Sequence, residues 1–323
     1  MKIFEYPLHI ETPVLLAQDN YVFIDIETDG LSHKNKIAII GLLFFTRKSP
    51  NGLLIQLFND DYHSEKACFE HLFNLIEEHS VDYFISFNGD SFDFPFMNAR
   101  IAHYKMARPL NKKLNIDLMK ICRKNKRHLG MEQMRLKDVE IFLGIHRDDT
   151  ISGKDSVMLY EAYLENKDPK LCDIIMLHNY DDLVNMVPLL GIFDHIPESF
   201  DSLTFENRII KGQKWFLHSH KHDLNHLELH FTSHISHSRF ERFNESIGCT
   251  FHQNGSDASI KLLLKSYPQL ETTLIDTLSV LGVNFESLSS ESKQRYVIAH
   301  KGAIYLNNIY NIAFSMLDRL LSD

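Results

Sequence analysis

Asp25 and Glu27 stand two residues apart in an otherwise apolar run, Phe23-Ile24-Asp25-Ile26-Glu27-Thr28. On a strand such a pair shares one face, because side chains alternate with period two. Two carboxylates side by side repel each other and are costly to bury. A divalent cation removes that cost, and so does a solvated strand end beside the Asp29-Gly30 turn. A second acid, Asp93, lies in Phe87-Asn88-Gly89-Asp90-Ser91-Phe92-Asp93-Phe94-Pro95, directly after an apolar segment. Its position is either that of a helix N-cap or that of a site at the carboxyl edge of a sheet. A third cluster, His178-Asn179-Tyr180-Asp181-Asp182, falls within a helical pattern. His178 and Asp182 are four apart and share a helical face. Leu183, Met186 and Val187 give Asp182 apolar neighbours; the alternative is a solvated Asp181-Asp182 pair.

The elements that must position these groups follow from periodicity. Tyr21 to Ile26 reads as a buried strand, with further strands over Lys36 to Thr46 and Leu53 to Phe58. Ser49-Pro50-Asn51-Gly52 reads as the turn of a hairpin joining the last two. His63 to His79 is helical, with Ser64 as its cap. Tyr83 to Ser86 is another strand, a helix starts near Asp93, and helical patterns run on to about Ile192. This order predicts an α/β domain with a mixed sheet flanked by helices. Pro197 and the Ser/Asp-rich residues around it suggest a boundary, giving domains of 1–198 and 199–323. The second is expected to be a smaller α+β unit, with β-like segments at 214–217 and 227–235 and a helix from 307 to 321.

FIDIETDGL, FNGDSFDFPFM and HNYDDLV resemble the three motifs of DEDD-type 3′–5′ exonucleases, the DnaQ-like branch of the ribonuclease H-like superfamily. The stretch MRLKDVEIFLGIHRDDTISGKDSVMLYEAYL resembles the YprB-type ribonuclease H-like family. The resemblance covers roughly residues 20 to 192. It implies a ribonuclease H-like fold and phosphodiester hydrolysis at DNA or RNA ends. It also implies Asp25, Glu27, Asp93 and Asp182 as ligands of two Mg²⁺ or Mn²⁺ ions, a pair that activates water and stabilises a leaving oxygen. All-oxygen ligation suits those ions better than zinc. His178 departs from the pattern. The tyrosine branch has Tyr four residues before the last Asp, and the histidine branch has His five before it. His178 occupies the tyrosine slot, where the resemblance implies a residue that orients or deprotonates the water.

A net charge of −9 argues against a nucleic-acid substrate until its distribution is considered. Residues 108–137 hold ten Lys/Arg against two acids, a local +8 in a chain whose remainder carries −17. That window is either a solvated face or a phosphate track, with Lys124, Lys126 and Arg127 the expected contacts. Asn88 and Arg147 are the other candidates for holding substrate. The longest apolar run, Ile37 to Phe45, is too short to span a bilayer, which takes about 20 residues. The N-terminus lacks a signal-like stretch, so no membrane contact and a cytoplasmic location are expected. Four scattered cysteines fit reduced, buried thiols. Seven histidines between 218 and 237 read as a solvated strand face rather than a metal site, since no Cys or carboxylate spacing completes one. The expectation is a metal-dependent 3′–5′ exonuclease. The alternatives are a catalytically silent nucleic-acid-binding module on the same fold, or a structure-selective endonuclease.

Overall fold

Nine consecutive apolar or glycine residues from Ile37 to Phe45 are too hydrophobic for a strand with a wet face, and all nine are buried. In the computed structural model of the chain they form the middle of a sheet. The structure describes residues 1–11, 19–47, 49–146, 151, 153–196, 206–223, 225–244, 249–267, 272–275, 297–300, 303–304 and 306–322. These divide into two compact units, Met1–Ile196 and Pro197–Asp323.

The first unit carries a six-stranded sheet: β1 (Lys2–Glu11), β2 (Tyr21–Thr28), β3 (Ile37–Thr46), β4 (Ser49–Phe58), β5 (Tyr83–Ser86) and β6 (Asn115–Asp117). Their spatial order is β1-β4-β3-β2-β5-β6. The first four strands pair antiparallel, whereas β2–β5 and β5–β6 pair parallel. β2 is therefore the strand where the antiparallel half meets the parallel half. The hairpin between β3 and β4 is tighter than the composition suggests. Thr46 pairs with Ser49, so Ser49 to Gly52 belong to β4 and not to the turn.

The helices are α1 (Glu65–Glu78), α2 (Asp93–His103), α3 (Leu118–Lys124), α4 (Lys126–Leu129), α5 (Leu136–Leu143), α6 (Gly153–Asn166) and α7 (Pro169–Leu189). Ser64 makes no side-chain capping bond to α1; its hydroxyl donates to Asp61 instead. Asp168 caps α7 by accepting from the Lys170 N–H, with Pro169 in the first turn, where its missing N–H costs nothing. α6 and α7 cover β3 and β4 through Tyr160, Tyr163, Ile175 and Met176, packed on Ile39 and Phe58.

The second unit is a meander of β7 (Glu206–Ile210), β8 (Gln213–His222), β9 (His226–Asn244), β10 (Cys249–Tyr267), β11 (Thr272–Ile275), β12 (Val297–His300) and β13 (Ala303–Ile304), followed by α8 (Leu306–Ser322). Alternation along β9 buries Leu227, Leu229 and Phe231. They form one core with Ile309, Ala313, Phe314 and Leu317 of α8. All four cysteines are free and buried. Among the described residues no helix is long and apolar enough to cross a membrane.

Candidate active site

Asp25, Glu27, Asp93, His178 and Asp182 line one cleft of about 620 Å³ in the first unit. Three elements deliver them. β2 presents Asp25 and Glu27 on one face near its carboxyl end. β5 runs parallel beside it and ends at Ser86, so the segment that follows brings Asp93, the first residue of α2, to the same edge. α7 crosses the sheet and presents His178 and Asp182 one turn apart.

Asp93 is not the cap of its own helix; no side-chain cap bond is made at that terminus. Its Oδ1 instead accepts the backbone N–H of Ile26, between the two acids of β2, at 3.2 Å. Oδ2 of Asp25 accepts from Nδ2 of Asn179 at 2.8 Å. Nε2 of His178 lies 3.5 Å from Oε1 of Glu27. Donor atoms of Glu27, His178 and Asp182 all fall within 4.8 Å of one another, and they are the one such group of three among the described residues. The histidines of β8 and β9 do not form another.

Burial and mutual repulsion make Asp25 and Asp93 reluctant to ionise. Glu27, Asp93 and His178 are 7%, 4% and 6% exposed. Burial pushes the Asp25 carboxyl well above its usual range, and the charges of Asp182, Asp93 and Glu27 push the same way; the Asn179 bond opposes them. Burial pushes Asp93 up to about 7, aided by Asp117 and Glu27 and opposed by the N–H groups of Asp93 and Ile26. Acids in this condition suit a divalent cation, which removes both causes of the rise.

The rim is mixed. Arg135, Lys137 and Asp138 line one part of it, and the exposed apolar side chains of Leu31 and Ile141 also line the cleft. Asn88 lines this cleft and a neighbouring one of about 550 Å³ that contains Lys112, Lys120, Arg123 and Lys124. Its φ of 68° is in the left-handed region, which Asn tolerates better than most residues. Asp117 holds this turn by accepting the N–H groups of Asn88 and Asp90, while it caps α3 through Lys120. Of the expected phosphate contacts, Lys124 reaches the neighbouring cleft. Lys126 and Arg127 are exposed on α4 and line neither cleft. Arg147 lies outside the described residues. Arg135, paired with Asp138, and Lys137 line the carboxylate cleft instead. Both belong to the basic window, but only the start of α5 at Leu136 brings them there.

The family whose pattern fits this chain, RNase_H_2 of the RNase H superfamily, matches residues 22–193, more than half of the sequence. The chain belongs to the RNase H superfamily. The fold of this RNase H-superfamily protein is accordingly a ribonuclease H-like mixed sheet, joined to a separate antiparallel C-terminal sheet. Among solved structures it is similar to a family B DNA polymerase from the hyperthermophilic archaeon Pyrobaculum calidifontis, at 13% identity and a TM-score of 0.41. That match covers 54% of this chain and 24% of the polymerase, so it spans about a quarter of that protein. No curated protein sequence matches.

Two further residues stand behind the cluster, Asn179, which bonds Asp25, and Gln56, which bonds Asn179. The signal for Gln56 was present, since it is the one polar side chain in the apolar run Leu53 to Phe58.

Proposed function

We propose that this protein is a DEDD-type, metal-dependent 3′–5′ exonuclease of the YprB kind, acting on DNA or RNA ends. The observation that carries the reading is the convergence of Asp25, Glu27, Asp93 and Asp182, with His178, on one cleft. These four acids would hold Mg²⁺ or Mn²⁺ ions, which when bound would supply an activated water and a stabilised leaving oxygen. The chain's own groups do the rest. His178, one turn from Asp182, orients the attacking water or takes its proton, a contribution worth roughly 10²–10⁴ in rate. Lys112, Lys120, Arg123 and Lys124 hold backbone phosphates, which give affinity without sequence reading. Leu31 and Ile141 offer apolar surface to the terminal bases.

A second role for His178 is favoured by its place within 4.8 Å of donor atoms of Glu27 and Asp182. As a nitrogen ligand it would tilt the site toward Mn²⁺ over Mg²⁺.

The deciding assay uses DNA and RNA oligonucleotides labelled at either end, with Mn²⁺, Mg²⁺ or EDTA. Stepwise shortening from the 3′ end, lost in EDTA, is expected. Internal cuts would establish an endonuclease, and binding without cleavage a silent module.

A further inference from the structure

Asn179 lies between His178 and Tyr180 on α7, and the reading above gives it no task. It is fully buried, as is Gln56 on β4. Nε2 of Gln56 donates to Oδ1 of Asn179 at 2.8 Å and to the Met176 carbonyl at 2.9 Å. With its oxygen occupied by a donor, the Asn179 amide can turn only its nitrogen toward β2. That nitrogen donates to Oδ2 of Asp25. Oε1 of Gln56 has no hydrogen-bond partner among the described residues. The Gln56 amide is thus held in the orientation that serves Asn179, at the expense of its own oxygen.

The sheet is shaped to admit this chain of amides. Asp25, Gly41 and Gln56 are opposite one another across β2, β3 and β4. A Cβ added at Gly41 would lie 2.2 Å from Oδ1 and 2.7 Å from Nδ2 of Asn179. No side chain fits there. Glycine inside a strand marks a close approach, and here the approaching group is the amide that grips Asp25.

We propose that Asn179 is a positioning residue that fixes the Asp25 carboxylate, engaging Oδ2 and leaving Oδ1 to a cation, with Gln56 locking the amide and Gly41 giving it room. The inference rests on the reading that Asp25 holds a divalent cation. Partners of this kind, one bond behind a metal ligand, typically change metal affinity by about 10–100-fold.

The test is calorimetric titration of Mn²⁺ alone into the full chain, with thermal melting to check folding. Asn179→Leu keeps the branched outline and removes the donor; it should fold and bind Mn²⁺ about tenfold more weakly or worse. Mn²⁺ binding within twofold of the parent would reduce Asn179 to packing and overturn the proposal. Should Asn179→Leu fail to fold, Gln56→Glu decides. It replaces the donor by an acceptor, which turns the oxygen of Asn179 toward Asp25, and it should weaken Mn²⁺ as strongly. Unchanged affinity in that variant overturns the proposal equally. If the parent protein binds no Mn²⁺, the metal reading of the cleft fails and this inference falls with it. If the parent binds and the variants match it, only this inference fails.

Discussion

Glu65 and Asp93 are both buried carboxylates at helix starts of the same unit, yet they are held in opposite ways. Glu65 has its own cation: Arg100 donates to it through Nε and Nη2, at 3.0 and 2.7 Å to its nearest oxygens. Tyr104 and the Ile37 N–H add further bonds, so the arrangement is closed within the protein. Asp93 and its neighbour Asp25 accept from neutral donors, a backbone N–H and an amide. Glu65 ties α1, α2 and the start of β3 together, and its charge is balanced where it stands. Asp25 and Asp93 share their cleft with Glu27 and Asp182, and burial and neighbouring acids push both carboxyls up. The first is how a protein uses a buried acid to hold itself together; the second is the strained arrangement that the proposed cation would relieve.

The largest difference should appear in chemistry. Asp25→Asn and Asp182→Asn are expected to slow cleavage about a thousandfold or more, ~4 kcal/mol of barrier. The metal-free melting temperature should stay level or rise, since like-charge repulsion leaves with the acid. Single-turnover rates and melting curves on the same samples check this. A variant that lost activity only in proportion to lost folding would erase the distinction from Glu65.

Next comes stability. Arg100→Met strands Glu65 as an uncompensated buried charge and should destabilise the first unit by about 3–5 kcal/mol in urea denaturation. Mn²⁺ should not restore it beyond what it adds to the parent. A cost under about 1 kcal/mol would mean that Glu65 is not the anchor it looks.

The smallest effect is in pH. Asp93 titrates near 4 in an unfolded chain and is pushed up to about 7 in the fold. Between those values the folded state holds the extra proton, so metal-free stability should fall as pH rises through the window. The limit is about 1.4 kcal/mol per pH unit for one group. Asp25 and Asp93 repel, so the titration belongs to the pair. Denaturation midpoints at pH 5 and 8, in EDTA, should differ less for Asp93→Asn than for the parent. Equal slopes would show that burial does not strain this acid.

Much of this was legible in residue order, and the exceptions have physical reasons. β2 to β5 follow from continuous apolar runs, α1 from a run long enough to display its period, and α2 from the segment that follows β5. β1 did not stand out, because Pro7 disfavours a strand reading; it is tolerated where the chain forms an edge. β6 has three residues, too few for any period, and its partner β5 dictates it. In the C-terminal unit the 19-residue β10 was not read as a strand. Polar residues fill its first half, and β9 decides its pairing. The acids on the cleft were visible because each sits in a local motif. The amide chain behind Asp25 was not, because it joins residues 56, 179 and 25 across three strands and a helix. Similarly, the basic window marked cations without saying which would face the cleft. The start of α5 selects Arg135 and Lys137, and the turn held by Asp117 brings Lys120 and Lys124 toward Asn88.

β3 has a consequence for how the chain must be made. An uncharged, proline-free stretch such as Ile37 to Phe45 is the kind of segment that seeds intermolecular β-aggregation while exposed. Its two sheet partners, β2 and β4, are its immediate neighbours along the chain. As the polypeptide emerges from a ribosome, β2 is already out and β4 follows within a few residues, so β3 is covered on both edges by short-range pairing. The parallel strands β5 and β6, which need long loops to close, arrive when the sticky segment is already shielded.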